Sequence, residues 1–326
     1  MTMSSATPPI PTDRRRAAVF LRRAQIIALL LAVPVALRTT SPTAAAPASG
    51  WRADPAWHAG KAEWALYDAV RPIYGVERRY EASIFTNAQH MDPRTTTKAV
   101  DVSSPSALAV FKHNVSELIP TENYTYRFLT TSFVRRDTFQ PYKLVMSSQE
   151  DCGSTYKQFV QHDGRIRAEQ FCYFPSSGHA SDEYHVPRAV AFHDALTFTL
   201  RDYPFDDPDP PTLTIDLLPD QTDTHGTPLH PANATVKFVG KETITVPYGE
   251  VVTYHLRVDH DCDGDVNQSD FWFSADPDMR RVLVKYEGTY NVRYELKQLA
   301  WWAYWDRSKP RPEPDQASAA APASEE

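Results

Sequence analysis

Apolar and polar residues alternate along most of the chain beyond Lys61. In residues 252–258 every second side chain is apolar, and residues 290–296 repeat the pattern. Such alternation places the apolar side chains on one face of a strand, which is typical of antiparallel sheets with one buried face. Shorter stretches of the same kind, separated by polar or proline-bearing turns, lie at residues 80–85, 124–133, 142–146, 155–160 and 171–174.

One segment favours a helix instead. Residues 187–201 (PRAVAFHDALTFTLR) begin with a proline, which the first helical turn tolerates, and an acidic, proline-rich stretch follows at 204–211. The strands on both sides of this stretch are similar in character, so we expect a single β domain over residues 57–306. The predicted fold is all-β: one curved antiparallel sheet or open, β-clam-like barrel, with one short helix. The 27 prolines against 11 glycines fit a chain of strands and stiff turns.

The two ends of the chain have a different composition. Arginines at 14–16 and 22–23 precede an apolar stretch at 24–37, which is too short for the roughly 20 residues that span a bilayer. We interpret residues 1–48 as an export signal that is either cleaved near the small residues at 44–48 or retained as an inner-membrane anchor. The expected location is the periplasm or cell envelope. Residues 308–326 are polar and of low complexity, so we expect both termini to be disordered.

The net charge of the chain limits the kinds of binding partner that we expect. Without residues 1–50 the chain has 28 basic and 40 acidic residues, a net charge of −12. Nucleic acids and anionic membrane surfaces need a positive footprint, so we expect no nucleic-acid binding. Membrane contact is expected only through the N-terminal segment, if that segment is not removed.

An acidic segment offers oxygen ligands at calcium-loop spacing. Its pattern, D-x-D-x-D-G with an acidic twelfth position, predicts calcium ligands Asp259, Asp261, Asp263, Asp265, Asn267 and Asp270. The twelfth residue is Asp rather than the usual Glu, and strands rather than helices flank the segment. The alternative is an acidic hairpin turn, because Asp and Gly are also common in tight turns. A bound calcium ion would stabilise the segment, since a filled coordination shell leaves no open position for catalysis.

The cysteines give two further candidates. Cys152 and Cys172 lie on stretches that we expect to be neighbouring strands, so we predict a disulfide between them in an oxidising compartment. Alternatively, Cys152 could act as a nucleophile with His113 or His162 as its base, although the sequence does not show that these residues are close together.

Several short motifs resemble a family of exported, β-rich bacterial proteins of unknown function, some of which are labelled "septum formation inhibitor Maf". They lie at residues 110–114 (VFKHN), 121–132 (TENYTYRFLTTS), 147–153 (SSQEDCG), 244–249 (ITVPYG), 270–276 (DFWFSAD) and 296–305. The closing stretch also resembles periplasmic domains of unknown function. The resemblance implies a curved antiparallel sheet or open barrel and no established active site. The Ser-x-Ser-Pro-Arg-Arg loop of the Maf nucleotide pyrophosphatases is missing, so we do not expect nucleotide hydrolysis.

The abundant apolar side chains on alternating strands, without a convergent catalytic set, favour a non-enzymatic role. The first hypothesis is an envelope protein whose concave sheet binds an apolar small molecule or an envelope protein partner. The second is an envelope hydrolase acting on a cell-wall or lipid substrate through Cys152 or acidic residues. The third is a structural protein stabilised by calcium.

Overall fold

The computed structural model describes residues 50–175, 177–262, 265–308 and 310–312. Strands dominate this part of the chain, because most of the alternating stretches form long, paired β-strands. The first eight are β1 (Ala62–Ile73), β2 (Val76–Asp92), β3 (Thr97–Lys98), β4 (Leu108–Pro120), β5 (Thr125–Arg135), β6 (Pro141–Glu150), β7 (Gly153–His162) and β8 (Arg165–Cys172). The others are β9 (Gly178–His185), β10 (Ala191–Phe192), β11 (Leu213–Leu218), β12 (Ala232–Val246), β13 (Gly249–Cys262), β14 (Asp265–Ser274), β15 (Leu283–Glu287) and β16 (Arg293–Trp302).

All the strands belong to one open sheet, which confirms the predicted all-β class. The strand order is β10-β11-β12-β13-β14-β15-β16-β1-β2-β4-β5-β6-β7-β8-β9, and β3 pairs with β2. The first and last strands pair in the middle of the sheet, where Ala62 lies opposite Trp302. The pairings are antiparallel except for the two-residue match of β10 with β11.

The sheet curves so that strands far apart in its order meet through their side chains. Val190, beside β10, exchanges two hydrogen bonds with the Gln161 side chain on β7. Phe192 and Leu218 on one flank pack with Phe159 on the other. The main core fills the enclosed side with residues such as Tyr67, Leu256, Phe271 and Leu296. The described residues therefore form a single unit around one enclosed face.

The predicted helix is present but shorter than expected. Residues 187–190 have no regular structure, and Ala191 and Phe192 form β10. Helical structure follows as a 3₁₀ turn at His193–Ala195, the α-helix α1 at Leu196–Thr199 and a 3₁₀ turn at Leu200–Asp202. The segment at 204–211 packs against the same core, since Phe205 is buried there. In the described part of the chain, no helix is both long and apolar enough to cross a bilayer.

Two further sequence features have structures of their own. Tyr290, expected on the apolar face of a strand, lies instead in a turn with φ of 59°, and its side chain is 81% exposed. A short N-terminal segment, comprising 3₁₀ turns at Gly50–Ala53 and Pro55–His58, packs Trp57 against Phe111 and Trp301. The proposed signal at residues 1–48 and nearly all of the tail at 308–326 lie outside the described residues.

Candidate functional site: a cleft with a charged floor

A cleft of about 750 Å³ opens on the enclosed side of the sheet. Aromatic side chains at its mouth come from the β1–β2 turn, from β5, from the segment between β8 and β9 and from the turn before β16: Tyr74, Tyr126, Phe128, Phe174 and Tyr290. The opposite wall is the loop at residues 219–231, which connects β11 to β12 and contributes prolines, threonines and His225. The cleft therefore has an apolar and aromatic entrance.

A small polar cavity of about 40 Å³ adjoins the inner end of the cleft. The two spaces share the side chains of Arg71, Asp220, Thr222 and Val292 in their walls. Further polar side chains of the small cavity include those of Glu117, Thr130, His193 and Asp194. We call these polar residues, together with His260, the floor of the cleft. A cavity of this size has room for a water molecule or a small polar head group.

Arg71 lies at the centre of the floor and is paired with a buried carboxylate. Its Nη2 is 3.3 Å from Glu117 Oε2, and its Nη1 donates to the backbone oxygen of Thr222 at 3.3 Å. Glu117 Oε1 accepts hydrogen bonds from the hydroxyls of Tyr80 and Tyr294. Burial opposes the charge of Arg71, but Glu117 and the neighbouring phenols hold the pKa of the guanidinium well above its ordinary value. Arg71 is therefore a permanent cation inside the protein.

Asp194 and Asp220 form a carboxyl pair beside this cation. Thr222 Oγ1 donates to Asp194 Oδ1 at 2.6 Å, and the backbone N–H of Gln221 donates to Asp194 Oδ2 at 3.0 Å. The backbone N–H of Thr222 donates to Asp220 Oδ1 at 2.9 Å. Burial and the charge of Asp220 raise the pKa of Asp194 to about 8. Burial acts on Asp220 too, but His193 and Arg71 outweigh it and lower the pKa of that carboxyl. At neutral pH, one proton is thus shared by two hydrogen-bonded carboxyls.

Two histidines line the inner wall. The rings of His193 and His260 lie 5.3 Å apart, and His193 Nε2 is 3.4 Å from Ser269 Oγ. Burial, followed by the neighbouring His193, lowers the pKa of His260 to about 4, so this imidazole is neutral. His260 is 5% exposed, and neither of its ring nitrogens has a hydrogen-bond partner among the described residues. Buried polar atoms usually have partners, which makes His260 unusual.

The loop at residues 219–231 is fastened to the sheet by side chains of β7 and β9. Lys157 Nζ, fully buried, donates to the backbone oxygen of Gln221 and to Thr227 Oγ1, both at 3.0 Å. Thr155 donates to the backbone oxygen of Thr224, and Tyr184 donates to that of Leu229 at 2.7 Å. These contacts hold one wall of the cleft in place.

A family model described as "Protein of unknown function (DUF3108)" matches residues 118–297, which is more than half of the chain. The chain belongs to the DUF3108 family. No curated protein and no solved structure matches it. The DUF3108 segment begins near the end of β4 and ends within β16, so it supplies Asp194, Asp220, Thr222 and His260. Arg71 comes from β1, outside the matched segment.

The predicted calcium ligands lie along a hairpin of this DUF3108 segment. Residues 259–262 pair with residues 265–268, so most of the proposed ligands belong to the strands β13 and β14. Asp259 forms an ion pair with Lys237 at 2.8 Å, and Asp270 forms one with Arg257 at 2.9 Å. Burial alone would raise the pKa of Asp270, but hydrogen bonds from Arg257 and His255 outweigh this effect and lower it.

Asp263 and the Asp265 side chain lie outside the described residues, as does the Cys262 side chain. In the part of the chain that the structure describes, no group of three or more His, Cys, Asp or Glu side chains has metal-binding geometry. Calcium binding here stays a prediction.

The predicted disulfide is not formed. Cys152 and Cys172 are both free thiols. Cys172 lies opposite Thr155 in the β7–β8 pair, and its side chain is buried, whereas Cys152 lies in the preceding turn with its side chain exposed. The two cysteines are therefore not opposite each other in the β7–β8 pair, and one thiol is exposed whereas the other is buried. Cys152 Sγ is 3.6 Å from the hydroxyl of Tyr124.

The histidines proposed as bases for Cys152 have other partners. His113 is buried between Thr86 and Thr197, at 2.7 and 2.9 Å, and burial lowers its pKa to about 3. His162 forms an exposed pair with Asp163.

Sequence reasoning missed the floor of the cleft. Asp194 lies inside the stretch interpreted as a helix, and Asp220 and Thr222 follow β11 in what reads as an ordinary polar loop. Arg71, near the end of β1, interrupts an otherwise apolar run, AVRPI, at residues 69–73. An arginine at a position that should be buried is the one signal that could have pointed to this site, because buried charges are paired.

Proposed function

We propose that this protein is an exported cell-envelope protein that binds a small amphipathic molecule in the cleft without transforming it. The observation that carries the proposal is the junction of an aromatic mouth with a buried, hydrogen-bonded polar floor. The volume of about 750 Å³ lies within the 300–1,000 Å³ typical of small-molecule sites. Such sites combine apolar walls with a few fixed polar groups, and this cleft has both.

The aromatic mouth supports an apolar or ring-containing body for the ligand. Tyr74 and Tyr290 are 74% and 81% exposed, so their rings offer apolar area that the protein itself does not cover. Their hydroxyl groups suit a boundary between an apolar ligand and water. The Tyr74 hydroxyl also bonds to those of Tyr124 and Tyr126, which orients this side of the mouth.

Export is supported by the N-terminal sequence alone. The arginines at 14–16 and 22–23 and the apolar stretch at 24–37 have the order and lengths of an export signal. A ligand drawn from the envelope would be amphipathic, in keeping with the cleft. Native mass spectrometry of the chain expressed with its own N-terminus measures both features, as a start near residues 47–49 and as a retained small molecule.

Displacement of a fluorescent probe tests the binding function. The neutral dye N-phenyl-1-naphthylamine should bind the full chain with increased fluorescence. The double variant Tyr74→Asn and Tyr290→Asn should weaken binding about tenfold, since two exposed aromatic contacts are lost. Asparagine is chosen because both positions have positive φ, which Asn tolerates.

The matched control is Tyr156→Asn, which removes an exposed tyrosine from β7 outside the cleft. It should leave dye affinity within about twofold of the parent. Equal dye binding by all three proteins would contradict a cleft-based function.

One observation favours a second candidate, an envelope hydrolase. A carboxyl pair that shares a proton can supply both an acid and a base to an attacking water, as in aspartic proteases. Here Asp194 would carry the proton and Asp220 would accept one. If envelope extracts treated with the protein release a product that disappears with Asp220→Asn and persists with Asp163→Asn, hydrolysis replaces binding as the function.

A further inference from the structure

We propose that the floor of the cleft binds the primary ammonium group of its amphipathic ligand. This inference rests on the proposed binding function and specifies the chemistry of the ligand. Two independent observations support it: the carboxyl groups of the floor, through their charge and their remaining hydrogen-bond acceptors, and the unpartnered histidine.

The charges of the floor favour a cation. Three carboxyl groups, those of Glu117, Asp194 and Asp220, face one guanidinium, that of Arg71. Because Asp194 and Asp220 share one proton at neutral pH, this set has two negative charges against one positive charge. An anionic head group would add a further negative charge to this buried set, whereas an ammonium group would offset one. The same imbalance extends over the surface, because the chain beyond residue 50 has a net charge of −12. Electrostatic attraction therefore favours cations both during approach and at the floor.

The carboxyl groups of the floor have hydrogen-bond acceptor positions that the protein does not use. Glu117 is satisfied by Arg71 and by two tyrosine hydroxyls. Asp194 receives two protein donors, Asp220 receives one backbone N–H, and the shared proton lies between the two carboxyls. A carboxylate offers about four lone-pair positions, so this pair can accept further hydrogen bonds. An ammonium group has three donors and no acceptor, so it could donate hydrogen bonds to the unused acceptor positions of this pair.

His260 gives the second, independent indication of a ligand. Its side chain lines the cleft and is nearly completely buried, yet both ring nitrogens lack partners among the described residues. A neutral imidazole has one nitrogen that accepts a hydrogen bond. A head group that donates several hydrogen bonds could reach both the carboxyl pair and this ring, because they border the same cleft.

The size and the mouth of the cleft agree with an alkyl or aryl amine. The cavity of about 40 Å³ has room for an ammonium group. The apolar body of the ligand would lie in the wider cleft. Tyrosine rings there also attract cations through their faces, which assists entry.

Three probes with the same tail test the proposal on the full chain. Decylamine, 1-decanol and decanoate differ only in having a cationic, neutral or anionic head group. Each would compete with N-phenyl-1-naphthylamine at neutral pH and 0.3 M salt, where non-specific attraction to the acidic surface is screened. We expect decylamine to bind at least about tenfold more tightly than decanol, and decanoate to bind most weakly.

Variants link this preference to the floor. Asp220→Asn should weaken decylamine about tenfold and change decanol by less than about twofold. The control Asp163→Asn makes the same substitution at an exposed turn residue and should change neither. An Asp220→Asn variant that binds decylamine as tightly as the parent would overturn the assignment to the floor.

The ranking of the head groups is measured on the unaltered protein, so it stands even if a variant does not fold. If decanoate or decanol binds as tightly as decylamine, the ammonium proposal is wrong while the binding function survives. If the dye and all three probes fail to bind, the proposed function itself fails.

Discussion

At the scale of single residues, two pairs of ionisable side chains in the interior of this protein differ in how their charges are balanced. Asp194 and Asp220 share a proton near the cleft, whereas Arg201 and Glu63 form an ion pair in the core. Arg201 and Glu63 have side chains only 1% and 4% exposed, and their closest atoms are 2.8 Å apart. Each arrangement predicts a different response to a single substitution.

Asp194 should make the protein less stable as the pH rises. Its pKa is about 8 in the folded chain and near the ordinary value of 3.8 when unfolded. Between about pH 4 and 8 the folded form keeps a proton that the unfolded form releases, so the free energy of unfolding falls as pH increases. Asp194→Asn carries no charge at any pH and should reduce this slope. Urea unfolding between pH 5 and 8 measures it, with Asp163→Asn as the control that retains the slope of the parent.

Glu63→Gln should destabilise the protein by about 3–5 kcal/mol, because it leaves the buried Arg201 guanidinium without a counter-charge. The Nε and Nη1 atoms of Arg201 already lack partners among the described residues, so nothing nearby replaces the lost carboxylate. The matched control is Glu183→Gln, which breaks an ion pair with Arg165 whose side chains are both 51% exposed. That change should cost less than about 1 kcal/mol. Urea unfolding measures both losses of stability. Similar losses in the two variants would contradict the larger contribution expected from the buried pair.

At the scale of elements, a short N-terminal segment of 3₁₀ turns covers side chains from several parts of the sheet. The N-terminal 3₁₀ turns place Trp51 and Trp57 over Phe111, Phe139 and Phe198. This aromatic cluster is a core of its own, separate from the main one. Nine residues at the start of the described chain therefore stabilise strands that lie far away in sequence.

Trp57→Ala should lower the free energy of unfolding by about 3–5 kcal/mol, the usual cost of removing a large buried aromatic side chain. Trp57 is 3% exposed and contacts both Phe111 and Trp301. Trp305→Ala removes the same side chain from a position that is 51% exposed and should cost less than about 1 kcal/mol. Thermal unfolding of the two variants, compared with the parent, distinguishes the roles of the two tryptophans.

The β13–β14 hairpin allows a direct test of calcium binding. If the acidic segment binds calcium, the ion should raise the melting temperature, because a ligand that binds only the folded form stabilises it. Asp261→Asn should abolish the rise. Calorimetry with calcium and with a chelator measures the effect. Identical melting temperatures in both conditions would leave the acidic segment as a hairpin turn.

At the scale of the whole molecule, the cleft exists because the loop at residues 219–231 spans the enclosed side of the curved sheet. The loop is held by buried polar side chains of β7, of which Lys157 is the most enclosed. Burial lowers the pKa of this lysine. This buried lysine therefore holds one wall of the cleft in place through its hydrogen bonds to the loop.

Lys157→Met should loosen this wall while preserving the volume of the core. The backbone oxygen of Gln221 and the hydroxyl of Thr227 would lose their donor, at a cost of about 1–3 kcal/mol. We expect faster hydrogen exchange confined to residues 219–231 and weaker binding of the naphthylamine dye. Unchanged exchange in this loop would show that other contacts suffice to hold it.

The sequence predicts the sheet better than it predicts the site, for physical reasons. The alternation at residues 252–258 depends only on which side of one strand is buried, and that information is local. Tyr290 was misplaced because its left-handed backbone depends on the turn between β15 and β16, not on its hydrophobicity. The floor joins Arg71, Asp194 and Asp220 from distant parts of the chain, and no local pattern records that proximity. Part of the predicted helix is lost because residues 191–192 pair with β11, which a local pattern does not record.

The pairing of β1 with β16 has a consequence for how the chain reaches this fold. The middle of the sheet joins residues about 240 positions apart, from Ala62 to Trp302, so neither half has its central neighbour until synthesis is nearly complete. Contacts of such long range slow folding, because a large loop must close before the pairing can stabilise it. A ribosome-bound chain would thus keep β1 and β16 unpaired with each other, although each could still pair with its other neighbour. A circular permutant that joins the two ends and opens at the exposed residues 187–188 would shorten the separation between Ala62 and Trp302 from about 240 to about 86 positions and should fold faster.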